Sequence, residues 1–392
     1  DEIAGIRKNI DWPHAPFEVP AAIETAWAKA GARGKPDRDA WKKRLTASPK
    51  KGEFNAAIAG RLPKNLGKAL VKHKKAVAEG GETKATRQWS GAALEVITGL
   101  VPEMIGGSAD LTGSNNTQTS HTTALTPANW GGRYIHYGVR EHAMAAAMNG
   151  MALHGGVIPY SGTFLVFADY SRAAIRLGAL MGTRVIHVMT HDSIGLGEDG
   201  PTHQPVEQVA SLRAMPNMHV FRPADGVETA ECWELALEND TGPATMALTR
   251  QGLKPARTVH DDENLSAKGG YVLSDCKGKA QAVIIATGSE VEIALAAQDQ
   301  LAKDGVKVRV VSMPCMELFE AQDAKYQQAT LGGDVPRVAV EAGVRFGWDR
   351  WIGHDGGFVG MDSFGASAPY KDLYKHFGIT ADAVAEAVKA RV

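Results

Sequence analysis

Residues 191–204, HDSIGLGEDGPTHQ, gather two histidines and three acidic side chains around three glycines. Neutral imidazole and carboxylate together offer the donors and acceptors that read hydroxyl groups. An imidazole there can also move a proton near neutral pH. The same side chains could suit a metal, but their spacing fits no helical zinc motif. Glu141 opens an Ala- and Met-rich helix over 141–153 that ends at Gly155 and Gly156. A carboxylate in a first turn complements the helix dipole and is also free for acid–base work. Phe164, Phe167 and Tyr170 have the spacing of one helical face, which suits core packing or a wall for a flat ring. Arg87, Ser114 and Arg250 suit a phosphate, since guanidinium forks match its oxygens; each alone would equally serve as a surface or salt-bridge residue.

These side chains need a scaffold that brings them together. Short apolar runs at 104–106, 134–136, 157–159, 185–190, 220–222 and 245–249 alternate with helical patterns, which argues for a parallel sheet covered on both faces. In such sheets ligands lie at the C-terminal strand ends. Ser108 and Asp110, Glu141, His191 and Asp192, and Arg250 all follow a predicted strand. A second α/β unit starts near Gly269, with strands at 282–286, 306–311 and 338–341 and a terminal helix at 383–391. Ser289 and Glu292 have capping-box spacing for its first helix. The ATGSE string at 286–290 lacks the full glycine pattern and lysine of a phosphate loop and reads as a tight turn. Residues 1–85 are Lys- and Ala-rich and broken by prolines, with helices at 23–30 and 66–78. The expected organisation is a helical linker over 1–85, one α/β domain over 86–255 and a second over 256–392.

Composition narrows the function classes. Over 392 residues, 44% are hydrophobic and 22% charged, ordinary for a globular protein of two or three domains. A formal net charge of -1 gives no footprint for nucleic acid or an anionic membrane. Three scattered cysteines build neither a disulfide framework nor a zinc site, which suggests a reducing, cytoplasmic setting. No apolar run reaches membrane-spanning length and no signal-peptide pattern is present. The chain opens at Asp1 and reads from there as mid-protein sequence, which suggests a piece of something longer.

The strings YGVREHAM (137–144), NGMALHGG (149–156), PYSGTFLVFADYSR (159–172) and HDSIGLGEDGPTHQ (191–204) closely resemble the transketolase family. The resemblance is loose over about the first 85 residues, dense over 106–251 and moderate beyond. It implies the pyrimidine-type thiamine-diphosphate-binding fold followed by the transketolase C-terminal domain: α/β, with two mostly parallel sheets flanked by helices. It implies transfer of a two-carbon ketol group from a ketose phosphate such as xylulose 5-phosphate to an aldose phosphate, in the pentose phosphate pathway or Calvin cycle. Cleaving a carbon–carbon bond beside a carbonyl needs an electron sink that no side chain supplies, and thiamine diphosphate supplies it. By the same resemblance Glu141 contacts the aminopyrimidine ring, Phe164, Phe167 and Tyr170 form its wall, and Asp110 lies beside the cofactor. His191 and Asp199 meet substrate hydroxyls, His203 reaches the reacting end, and Arg87, Ser114 and Arg250 surround the terminal phosphate. The family's Gly-Asp-Gly…Asn signature, which holds the diphosphate through Mg²⁺ or Ca²⁺, is missing, and so are the catalytic histidines of that half. Glu198-Asp199-Gly200 is only a superficial match to it, and no metal ligand is assigned here. The expected partners are sugar phosphates and a homodimer or a complementary N-terminal half, with no nucleic acid or membrane. Dihydroxyacetone synthase, deoxyxylulose phosphate synthase, a 2-oxoacid dehydrogenase β subunit and a non-catalytic partner subunit are the alternatives. The polyol-type loop argues against the oxoacid enzyme, and the joint presence of Glu141, Phe167, His191 and His203 against a mere scaffold.

Overall fold

The computed structural model describes all 392 residues as two units, Asp1–Ala56 and Ala57–Val392. The first unit is helical, with Glu2–Asn9, Ala21–Gly31 and Lys35–Ala47, and none of these helices buries a residue.

The second unit contains both sheets. Six strands build the first: β1 (Met104–Ser108), β2 (Tyr134–His136), β3 (Ile158–Phe164), β4 (Ile186–Thr190), β5 (His219–Phe221) and β6 (Ala244–Leu248). Their order is β2-β1-β3-β4-β6-β5, and every pairing is parallel. Every residue of β3, β4 and β6 is buried, because helices cover both faces. One face packs Ile186 and Val188 with Leu70, Leu94, Ile97 and Trp233; the other packs Met189 and Val220 with Ala145, Ile175 and Leu212. The chain runs from β1 outward to β2 and then returns to β3 on the other side. The crevice between β1 and β3 is therefore a topological switch point, where α/β sheets receive ligands.

The second sheet has β7 (Tyr271–Ser274), β8 (Ala282–Ala286), β9 (Val308–Ser312), β10 (Arg337–Val344) and β11 (Gly357–Met361) in the order β11-β10-β8-β9-β7. Only the edge strand β7 is antiparallel. Helices Glu290–Lys303 and Ala381–Lys389 cover one face, and Phe319, Trp348 and Trp351 the other. The predicted capping box is not formed. Ser289 has helical backbone angles and its hydroxyl donates to Glu290 at 2.7 Å, because Glu290 is drawn into a buried ion cluster instead.

That cluster joins the sheets. Arg222, 1% exposed, donates through Nε to Asp192 at 2.9 Å, through Nη1 to the Thr287 carbonyl at 2.9 Å, and pairs with Glu290. Beside it Arg213 makes a two-pronged pair with Glu341, both bonds 2.8 Å. Glu341 is held down to about 2: burial alone would raise it, and the charges of Arg213 and Arg222 with hydrogen bonds from Arg213 and Thr287 outweigh that. The 286–290 turn, whose Gly288 has φ +51°, wraps this arginine, since Gly288 N donates to the Arg222 carbonyl at 2.9 Å.

Candidate functional site

The carboxyl ends of β1, β3, β4 and β6 bring the charged and aromatic residues to one side of the sheet. Phe164 ends β3, Phe167 lies in a 3₁₀ turn and Tyr170 in the helix Ala168–Met181, so the three do not share one helical face. The spacing crosses a strand, a turn and a helix, and the change of period hides this from the sequence. Phe164 and Phe167 are nevertheless close to parallel, 5.7 Å apart at 12°. His191 stacks on Phe164 at 3.7 Å, and His203 points its ring edge-on at Phe167 at 5.5 Å. Tyr170 continues the row 5.9 Å from Phe167 but is 69% exposed.

His191 has φ +60°, a left-handed conformation that side-chain-bearing residues adopt at a cost. A hydrogen-bond chain holds it there. The Thr190 hydroxyl donates to Asn115 Oδ1 at 2.8 Å, so with its only proton committed it accepts from His191 Nδ1 at 2.9 Å. Asn115 in turn donates to Ser108 at 3.2 Å. This leaves His191 Nε2 as an acceptor toward the site. Burial first, then the charges of Arg87 and Arg250, then His203, push the imidazole down to about 3. It is neutral throughout the physiological range.

The two arginines define the positive end. Arg87 Nη1 donates to the Ser114 carbonyl at 2.7 Å, and Arg250 Nη1 to the Leu196 carbonyl at 3.1 Å. Neither forms a salt bridge with any carboxylate of the chain. Burial and the charge of Arg250 lower the Arg87 pKa. Two guanidiniums fixed by carbonyls beside a neutral imidazole, with no acid between them, make a corner for an anion of high charge.

Glu141 begins the helix Glu141–His154 and is 9% exposed, and no hydrogen bond or ion pair within the chain engages its carboxylate. Asp110 (φ +63°) and Asp199 are exposed and likewise unpaired. The structure thus joins Phe164, Phe167, His191 and His203 by ring contacts and Arg87, Ser114 and Arg250 around the positive corner, while Glu141, Asp110 and Asp199 make no side-chain hydrogen bond or ion pair with any of them. No three His, Cys, Asp or Glu side chains converge as metal ligands. A cleft of about 330 Å³ opens nearby, lined by Gln251, Ser289, Tyr370 and Tyr374, but contains none of the candidate residues. Thr190, Asn115 and Arg222 escaped the sequence reading. The only signal for Thr190 and Arg222 was a polar residue at the end of an apolar strand, and Asn115, in the short helix Thr112–Asn115, carried none.

A family profile described as the transketolase pyrimidine-binding domain matches residues 82–255, and one for the transketolase-like C-terminal domain matches 269–380. A transketolase of Sinorhizobium medicae is 58% identical over 390 residues. The chain belongs to the transketolase family. The match covers 99% of this chain and 56% of that relative, so the chain spans little more than half the length of such curated transketolases and corresponds to their C-terminal portion. The crystal structure of a Pichia stipitis transketolase in complex with sedoheptulose 7-phosphate is 40% identical with a TM-score of 0.90, covering 96% of this chain and 56% of that one. A chain described as a split-gene transketolase, inactive β4 tetramer, is 26% identical with a TM-score of 0.64, covering 78% of this chain and 98% of its own length.

Proposed function

We propose that this chain supplies the pyrimidine-binding and sugar-phosphate-binding side of a transketolase active site, for transfer of a two-carbon ketol group from a ketose phosphate to an aldose phosphate. The observation that carries this reading is the row running from Phe167 through Phe164 and His191 to the Arg87–Arg250 corner. It offers aromatic surface at one end and paired guanidiniums at the other, with a neutral hydrogen-bonding ring between them.

Thiamine diphosphate fits the aromatic end. Glu141, 9% exposed, presents a carboxylate with no partner in the chain, and Phe164 and Phe167 present near-parallel rings suited to a flat heteroaromatic group. When bound, the cofactor supplies the electron sink for breaking a bond beside a carbonyl. Glu141 would hold a proton at the pyrimidine ring nitrogen, with Phe164, Phe167 and Tyr170 as the wall and Asp110 beside the ring. His203 would donate or accept a proton at the donor's oxygen, and Asp199 would accept from a sugar hydroxyl. His191 would accept from a hydroxyl through Nε2 at the border of the phosphate corner, and Arg87, Ser114 and Arg250 would hold the phosphate. We place the ligands of the Mg²⁺ or Ca²⁺ that binds the diphosphate outside this chain.

The match to little more than half the length of the curated transketolases supports completion by a second polypeptide region, either a complementary N-terminal half or a subunit of a homodimer. The chain described as a split-gene transketolase, which matches 78% of this chain over 98% of its own length, supports the first of these. No helix is long and apolar enough to cross a membrane. The test is Glu141→Gln in the assembled enzyme. Ketol transfer should fall by at least ~100-fold, the usual scale for removing a proton-transfer group, while calorimetry still detects thiamine diphosphate binding. Turnover close to the unaltered enzyme would reject the assignment.

A further inference from the structure

The second sheet contributes none of the candidate site residues, yet the loop that carries Asp199 and His203 is fastened to it. Within the loop Gly197 and Gly200 have φ +92° and +82°, short turns such as His203 N to the Gly200 carbonyl at 3.0 Å link it internally, and Glu198, Asp199, Pro201 and Thr202 are exposed. Gln204 is 2% exposed, and its amide nitrogen donates to the Gly197 carbonyl at 2.9 Å and to the Ala366 carbonyl at 2.8 Å. Two carbonyls can only accept, so the amide orientation is fixed. Ser367 donates to the Glu198 carbonyl at 2.5 Å. A Cβ on Gly365 would lie 1.8 Å from Gln204 Oε1, so the strap over 362–368 leaves the amide its space only by having glycine there. At the loop's start, Ile194 packs in the core of the second sheet.

We propose that Gln204 and the 362–368 strap position Asp199 for substrate, so that the C-terminal domain sets how tightly the polyol part of a donor is held. This rests on the reading that the 191–204 loop meets the sugar. Gln204 is a positioning residue, bridging loop and strap without touching the reacting atoms.

Two measurements keep this apart from the reading it rests on. In the chain itself, hydrogen exchange over 195–203 should speed up by ~10-fold in Gln204→Glu, whose carboxylate faces two carbonyls, and by less in the milder Ser367→Ala, while β8 and β10 exchange unchanged. In the assembled enzyme, both variants should raise KM for a ketose phosphate, by ~10-fold in Gln204→Glu, with kcat and the KM for hydroxypyruvate within about twofold. Hydroxypyruvate has no polyol to position. Unchanged loop exchange in both variants overturns the proposal, as does an equal rise in KM for both donors. If Gln204→Glu unfolds, Ser367→Ala decides the matter, because an exposed serine hydroxyl is the only group it removes. An assembled enzyme inactive toward every donor would refute the functional reading, and the exchange result would still judge the strap.

Discussion

Two histidines on β4 and at its end make acid pH a sharp probe of this fold. Burial pushes His187 down to about 4, and burial with the neighbouring cations pushes His191 down to about 3. Both folded values lie below the ordinary 6.5, so the unfolded chain takes up protons that the folded chain refuses. Stability is therefore fully present above pH 6.5 and lost as pH falls from there toward the folded values. At pH 5.0, each histidine costs about 2 kcal/mol relative to pH 7.5, since the pH then lies 1.5 units below the unfolded value. His187→Leu isolates one of them. Both ring nitrogens of His187 are buried without a partner, so at pH 7.5 the leucine should change stability by less than about 1 kcal/mol. At pH 5.0 the variant should exceed the unaltered chain by about 2 kcal/mol more than it does at pH 7.5. Glu228, raised to about 7 by burial and Asp225, works in the opposite direction, gaining stability as pH falls, but it is common to both proteins and cancels in the difference. Urea unfolding of both chains at the two pH values measures it. If both lose the same stability to within about 0.5 kcal/mol, His187 is not kept neutral by burial and the electrostatic account of this strand fails.

Three further outcomes test the site and its support. Arg250→Met in the assembled enzyme should raise KM for phosphorylated donors by ~10- to 100-fold and leave hydroxypyruvate nearly unchanged, the scale of one or two charge-assisted hydrogen bonds; steady-state kinetics with both donors checks it. Arg222→Met leaves Asp192 and Glu290 buried without their cation and should destabilise the chain by about 3–5 kcal/mol in urea unfolding. Phe167→Ala should weaken thiamine diphosphate binding by about 3- to 10-fold, read by calorimetry in the presence of the complementary half, if its ring stacks on the pyrimidine.

Strands β3, β4, β6 and β8 were legible because each is an apolar run buried along its whole length, whereas the half-buried edge strands β7 and β11 went unread; the polar residue after the runs of the first sheet marked its ligand side. The roles of Glu141, Asp199 and His203 came from resemblance to the family, since nothing in their spacing identifies a pyrimidine or a sugar. What the sequence hid depends on segments distant in the chain. Phe164, Phe167 and Tyr170 read as one helical face because three local conformations happen to imitate a single period. Ser289 read as a cap because its rival, the pull of Arg222 on Glu290, comes from 68 residues away. Gln204 lay in plain view in the most distinctive motif, but its second acceptor, Ala366, is 162 positions downstream.

The Arg222 cluster also governs the order in which the molecule can assemble. Its members come from the end of β4, the end of β5, the turn after β8 and the middle of β10, so no local stretch of chain can satisfy them. Each sheet can collapse around its own apolar residues early, whereas Arg222 and its carboxylates must give up water only when the two sheets meet in the right register. A misdocked intermediate would bury bare charge and reopen. Because Asp192 belongs to this cluster and adjoins His191, the 191–204 loop can take its final form only in molecules that have passed that step, and folding quality and loop geometry are checked by the same contact.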